Sequence, residues 1–540
     1  MKKYIQILSI IALIGVTNTS VIANDCNPPT ASIDLDVNNV RAKLLNGGDK
    51  FWDIFGSSNS AYEIPKGSNK YSMFASAIWI AALDQGGNLY TAAQTYRQRG
   101  NDFWPGELNA LGETQNIDCR EGDKMYSVYG TEVVNAKIGK GIAYNVSRWP
   151  AHIADFYDAN NDGIYDPSLG DYPLLDKNKP NLIPGQMVFW TINDKGNVHA
   201  AIPNNLSMGL EIQITAYAFP SNSSNAINNS TFYKYKIINK SATNYTDFHV
   251  AEFGDSDLGN PQDDYVGCDL STNSSGKKRN LFYTYNGDAA DEDGVAPGYG
   301  NNPPAIGICF LETGYDSAGS KLDMNSFIYF GNSAIPGVNA DPRNPIELNR
   351  YVKGMWADGL AIQYGSADGR TGNDPYNFVF PGDSDPSGKP AWYESDLVGD
   401  RRMVAGIKPK KLASGEQMIV ELSYVWAQDL SANPGLRPSL ELLRLTTDTV
   451  IEAYASNFSN FSTNIKHKKN STFKVFPNPS KEVLHIDFEG RITSIVIYDI
   501  SGKLIKSIRN TNTRKIDISD LENGTYIINI NESAVRFVKM

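Results

Sequence analysis

Histidine is scarce in this chain: five in 540 residues, at His152, His199, His249, His467 and His485. None stands in a His-Glu-x-x-His or His-x-x-x-His spacing, which removes the helix-borne zinc site of many metallopeptidases. No Gly-x-Ser-x-Gly elbow, phosphate-cradling Walker loop or dinucleotide fingerprint occurs, so those routes to hydrolysis, phosphoryl transfer and hydride transfer lack support. Basic charge is also short, with 49 Lys+Arg against 60 Asp+Glu and a net charge of −11. The tail from Phe473 is slightly basic, so the preceding body carries the acidic excess. Such a body argues against nucleic acid, whose phosphates need a basic surface, and it suits divalent cations. No apolar run is long enough to span a membrane, so no transmembrane segment is expected in the mature chain.

Tyrosine and glycine are plentiful, at 29 and 46, which suits β structure with many turns. The chain opens on Met1-Lys2-Lys3, a short apolar stretch over residues 5–16, and Val21-Ile22-Ala23. This predicts a secretory signal peptide over residues 1–23, cleaved before Asn24. Cys26 follows Asn24-Asp25, not the small residues a lipoprotein needs. Four cysteines remain, Cys26, Cys119, Cys268 and Cys309. Regional proximity suggests the pairs Cys26–Cys119 and Cys268–Cys309. Free buried thiols are the alternative, because a body this large does not need staples.

Mostly apolar runs at 74–83 and 187–192 read as buried strands. Residues 210–218 alternate, with Leu210, Ile212, Ile214 and Ala216 on one face and Glu211, Gln213 and Thr215 on the other, which predicts a half-buried strand. Further strands are expected at 231–238, 246–253, 281–285, 306–311, 326–330 and 417–427. Many short strands between Gly, Asn, Asp and Pro loops predict a mainly β fold, a β-sandwich-rich passenger with few helices. One helix is expected after Arg437-Pro438-Ser439, with Leu440, Leu443, Val450, Ile451 and Tyr454 near one face. The regions are then 24–205, aromatic-rich; 206–455, a β-sandwich region ending in a helix; a polar linker over 456–472; and the tail, 473–540.

Residues 158–166 place side-chain oxygens at Asp158, Asn160, Asp162 and Asp166, with Gly163 at the sixth position. That matches the first part of an EF-hand-type loop. The Ile164 carbonyl would supply the seventh position, and Asp171 could close the sphere in place of Leu169, so calcium is the expected cofactor. An Asx-rich turn that caps itself is the competing reading. Asp255, Asp257, Asp263, Asp264 and Asp269 form a second acidic group, either another calcium site or a solvated loop. The run from Asp288 to Asp293 reads as an exposed loop. A glycosidase needs only two carboxylates close in space, a pattern no spacing rule detects. Trp79, Trp104, Trp190, Trp356, Trp392 and Trp426 could stack on sugars or fill a core.

The tail carries Phe476-Pro477-Asn478-Pro479, then Ile497-Tyr498-Asp499-Ile500-Ser501-Gly502-Lys503-Leu504, then Leu521, Asn523-Gly524-Thr525-Tyr526 and a close in Val538-Lys539-Met540. It resembles the type A C-terminal sorting domain of the type IX secretion system of Bacteroidetes-type bacteria. The resemblance implies a small Ig-like β-sandwich recognised by the secretion machinery at the outer membrane. It points to Pro477, Asn478, Pro479, Tyr498, Asp499, Gly502, Leu521, Gly524, Tyr526 and Lys539. It also implies a secreted or cell-surface destination, with surface lipopolysaccharide as a possible attachment after tail removal. The body, through Asn46-Gly47-Gly48-Asp49, Gln94-Thr95-Tyr96-Arg97-Gln98, Gly100-Asn101-Asp102-Phe103-Trp104-Pro105-Gly106 and Tyr299-Gly300-Asn301-Asn302-Pro303-Pro304, resembles a Bacteroidetes family of secreted proteins without an assigned activity. Two functions follow as expectations: a calcium-stabilised β-rich surface protein acting in adhesion, envelope structure or ligand binding, or a secreted hydrolase or lyase on polysaccharide or protein.

Overall fold

The computed structural model describes residues 26–459 and 473–540, apart from 98–99, 115–118, 204, 222–223, 332–334, 396–397, 432–436, 489–491, 493, 500–503, 510–512 and 531–532. The expected signal peptide and most of the linker lie outside the described residues. The chain divides into two compact units, residues 1–463 and 464–540.

Two large antiparallel sheets, with small two-stranded ones beside them, frame the first unit. In the first, Ser32–Leu35, Arg41–Leu45, Asp49–Lys50, Ala75–Leu83, Tyr245–Asp255, Arg401–Ile407 and Met324–Gly331 are successive neighbours. In the second the order is Asp264–Asp269, Leu281–Asn286, Ala305–Glu312, Gln417–Ala427, Ser230–Asn239, Leu210–Ala218, Gln186–Asn193 and Trp104–Pro105. The mainly β expectation holds, including its nearly every strand. The boundary at 205/206 does not divide the body, because Ala75–Leu83 pairs with Tyr245–Asp255 and Gln186–Asn193 pairs with Leu210–Ala218.

Period two decides what each strand buries. On Ser230–Asn239, Tyr233, Tyr235 and Ile237 enter the core between the sheets, while Phe232 joins a second core on the outer face of the second sheet. That second core is covered by residues from the 126–175 region and by the helix Leu440–Ala455. Leu210–Ala218 is therefore buried along its whole length, where alternation predicted a solvent face. Its polar residues are satisfied within the fold: Glu211 accepts from the Leu108 N–H at 2.9 Å and from Gln213 Nε2 at 2.8 Å. The six tryptophans weighed as sugar platforms are at most 6% exposed, which leaves no ring face for a sugar.

Cys268 and Cys309 are free buried thiols, against the expected pairing. Their strands flank Leu281–Asn286 on opposite sides, and the two thiols belong to different cores. Two strand spacings, about 9.6 Å, exceed the reach of a disulfide. Cys26 is disulfide-bonded. Cys119, the one other cysteine of the four, opens a short 3-10 helix, Cys119–Glu121.

The second unit has a three-stranded sheet, Lys474–Phe476, Val483–Asp487 and Lys515–Asp517, and a four-stranded sheet, Leu504–Arg509, Ser494–Asp499, Gly524–Ile530 and Ser533–Lys539. Residues of both, among them Leu484, Ile486, Ile495, Ile497, Ile528 and Phe537, form one core.

Candidate functional site

The residues behind the body's family resemblance are largely internal ties. Arg97 meets Asp49 with two hydrogen bonds of 2.9 Å. Gln94 bridges Gly100 O at 3.0 Å and the Asp102 N–H at 3.3 Å, and Asp102 accepts from the Ala201 N–H at 2.9 Å. Burial pushes Asp102 up to about 6, against the pull of His199. Gly48 has φ 83°, and a Cβ there would lie 2.8 Å from the Phe103 ring, so the turn requires glycine.

The calcium-type loop folds on itself. Asp158 accepts from the Gly163 N–H at 2.8 Å, Asn160 from Asp162 N at 3.1 Å, and Asp162 from the Ile164 N–H at 2.7 Å. Asp166 caps the following turn through Ser168 N at 2.8 Å. Asp171 is 1% exposed and ties the loop's two ends, accepting from Ala159 N and Asp166 N at 2.8 Å each. Gly163 takes the sharp turn at φ 77°. Among the described residues, no group of three or more His, Cys, Asp or Glu side chains converges as metal ligands.

Among the described residues the second acidic group forms no metal-ligand cluster, although Asp257 feels Asp255, and Asp264 feels Asp263 and Asp257. Asp255 receives the Tyr96 hydroxyl and faces Arg402 at 3.7 Å, while Asp257 accepts from Ser60 at 3.1 Å. Asp264 is buried and accepts from Leu258 N at 3.3 Å. Asp263, part-buried, is raised by that burial, with Asn286 opposing. Asp269 pairs with Arg444 at 2.8 Å and Arg279 at 3.4 Å. The Asp288–Asp293 run is not wholly exposed either: Asp291 is 1% exposed, accepts from Tyr299 N at 2.6 Å, and is pushed up to about 6 by burial.

An open cleft lies on the outer face of the second sheet. Its floor is Phe189, Gln213, Thr215, Lys234, Lys236, Gln417 and Ile419, and its wall comes from Trp149 and the segments 153–155 and 174–178. Register explains the floor: Gln213 stands opposite Lys236, which stands opposite Ile419, and Thr215 stands opposite Lys234. The space is about 210 Å³, under the usual ~300–1,000 Å³ of a drug-sized pocket, so it fits one ring-sized group. Lys234 Nζ donates to Leu175 O at 3.2 Å. Burial lowers Lys236, opposed by Asp155 and reinforced by Lys234 and Lys177. The carboxylates on the wall serve the backbone: Asp155 accepts from Lys177 N at 3.1 Å and Asp176 from Asn178 N at 2.9 Å. Trp149 donates its indole N–H to Asp155 O at 3.0 Å and is 5% exposed.

Behind the cleft sits Glu421, whose carboxyl is raised by burial. It accepts the hydroxyls of Tyr217 and Tyr454, the latter at 2.8 Å. The adjoining space is about 10 Å³, enough for one water at most. Sequence reading missed the cleft because the polar residues of its floor are spread over three separate strands.

In the tail, Pro477, Asn478 and Pro479 are exposed. Asn478 donates to Arg536 O at 3.1 Å and accepts from Val538 N at 2.9 Å. Leu521 and Tyr526 are buried, and Tyr526 OH donates to Glu522 O at 2.9 Å. Gly524 opens its strand, and Lys539 bridges to Ser480. Tyr498 and Asp499 lie on Ser494–Asp499, and Gly502 falls outside the described residues.

Among the described residues, no helix is long and apolar enough to cross a membrane. No curated protein matches the chain. One solved structure similar to part of it is a polysaccharide lyase, at 7% identity and TM-score 0.19, covering 62% of this chain and 35% of that one; at that score it carries no inference. Residues 474–540 match the family model for the secretion system C-terminal sorting domain. The C-terminal unit is a type IX secretion sorting domain, and the protein that ends in it is exported across the outer membrane to the cell surface or the medium.

Proposed function

We propose that the exported body is a non-enzymatic binding protein whose cleft takes a ring-sized acidic group, such as the terminal uronate of a surface or environmental polysaccharide. The observation that carries this reading is the pair Lys234 and Lys236, side by side on the cleft floor among the amides of Gln213 and Gln417 and the hydroxyl of Thr215. Ammonium groups and amides match a carboxylate and ring hydroxyls. The reading disfavours hydrolysis because Asp155 and Asp176 are held by backbone N–H groups and Glu421 is buried. Calorimetric titration with uronic-acid oligosaccharides should show binding, weakened about tenfold or more by Lys236→Ala, a loss of ~1.4 kcal/mol. Equal affinity for neutral oligosaccharides, or an unchanged constant in the variant, defeats the assignment.

The same reading includes calcium at residues 158–171, supported by the spacing of Asp158, Asn160 and Asp162 and by Asp171 closing the loop. The hydrogen bonds to backbone would be exchanged for the ion. An ion bound only by the folded state raises stability by mass action. The melting temperature should therefore fall on chelation, and Asp158→Ala with Asp162→Ala should abolish the difference. Coincident melts with and without chelator rule the site out. Attachment to surface lipopolysaccharide after tail removal belongs to the same reading and rests on the sorting domain alone.

A further inference from the structure

Between the two sheets, Lys50 and Glu252 meet out of reach of solvent. Their side chains are 2% and 1% exposed, and Nζ lies 2.5 Å from Oε1. Lys50 is on the strand Asp49–Lys50 and Glu252 on Tyr245–Asp255; Ala75–Leu83 runs between them and pairs with both. The opposite sheet supplies Tyr233, Tyr235 and Tyr424, and the pair's own side supplies Ser76 and Phe51. Lys50 Nζ donates to Tyr235 OH at 2.9 Å. Tyr424 OH donates to Glu252 Oε1 at 2.7 Å, and Ser76 Oγ lies 2.8 Å from the same oxygen. The rings of Phe51, Tyr233, Tyr235 and Tyr424 surround Nζ, between 5.4 and 5.6 Å away.

Two ions are expensive to keep in such a box. Passing the proton from ammonium to carboxylate leaves an amine and a carboxylic acid, with no charge to solvate. Burial pushes Lys50 in that direction, with Glu252 resisting. A neutral amine is a nucleophile, and a hydrogen-bonded neutral carboxyl is an electrophile.

We propose that Lys50 and Glu252 are joined by a spontaneous intramolecular amide bond. The Nζ lone pair adds to Cδ of Glu252. Hydrogen bonds from Tyr424 and Ser76 stabilise the negative charge that develops on Oε1. The other carboxyl oxygen, which carries the acid proton, takes a second proton from the amine by way of the Tyr235 hydroxyl and leaves as water. One C–O bond breaks, one C–N bond forms, and no oxidant, reductant or cofactor is consumed. Fixed proximity takes the place of an activated acyl group, and the closed core keeps water from reversing the step. The cross-link spans 202 residues of chain and fastens the strand holding Lys50 to a strand in the middle of its sheet.

Intact mass of the secreted protein, reduced and denatured, tests this. The chain should be lighter than its sequence by one water. A peptide map should give a branched peptide containing Lys50 and Glu252, with no tryptic cut after Lys50. Lys50→Met should restore the full mass; if that variant does not fold, the map of the unmodified protein decides alone. Full mass with linear peptides at both residues overturns the proposal, as does a water loss mapped to any other position.

Discussion

At His249 burial outweighs an acidic neighbour. The ring is 5% exposed, and Nε2 lies 3.0 Å from Asp247, yet desolvation lowers its pKa from 6.5 to about 4, with Lys353 adding repulsion. The unfolded chain therefore binds this proton first as pH falls. Stability from this residue is complete above pH ~6.5 and is lost progressively toward pH ~4, by up to about 3 kcal/mol. Denaturant midpoints between pH 7 and 4 should fall less steeply for His249→Gln, which keeps a donor to Asp247. Parallel profiles for the two proteins contradict this. Asp102 and Asp291, both raised to about 6, act with the opposite sign in the same window, so the variant comparison is needed to isolate the histidine. None of these three residues announces itself in the sequence, because their burial is made by segments far along the chain.

At the scale of elements, alternation located strands and named their inward faces. For Leu210–Ala218 it placed Ile212 and Ile214 in the core and failed for Gln213 and Thr215. The failure is physical: period two reports one covered face, and a strand covered on both faces by distant chain keeps its polar pattern. The two Lys residues of the cleft were illegible for the same reason. Spacing located the 158–171 loop, whose side-chain oxygens, Asp171 among them, accept from backbone N–H groups as the self-capping reading expects. In the sorting domain, Asn478 acts as one more rung beside Ser533–Lys539, matching a donor and an acceptor of its backbone. Asn478→Ala should lower the stability of the isolated 464–540 unit by about 1 kcal/mol, read from its urea midpoint. An unchanged midpoint means that the exposed side chain contributes nothing to folding and is kept for recognition.

At the scale of the whole molecule, the described residues of the body build two cores and those of the tail build one. A chain ending at residue 463 should keep the circular dichroism and melting temperature of the body. Deleting 473–540 should leave that folded body in the periplasm, as fractionation would reveal; normal surface or medium levels would show that the address lies elsewhere. Proteolysis should cut first at residues 466–469, in the basic linker, and give one large stable fragment.

The outer face of the second sheet has a consequence for how the chain matures. Its cover is assembled from the 126–175 region and from Leu440–Ala455 with Phe458, separated by most of the body. A polypeptide threaded into the periplasm from its N-terminus presents Phe189, Phe232 and Tyr283 before the helix that shields them has arrived. The contact order of this layer is high, so completion is slow and late. Mutations at Leu443 or Val450 should therefore show their harm first as aggregation in transit, ahead of any loss in the finished fold, as soluble and insoluble fractions would reveal.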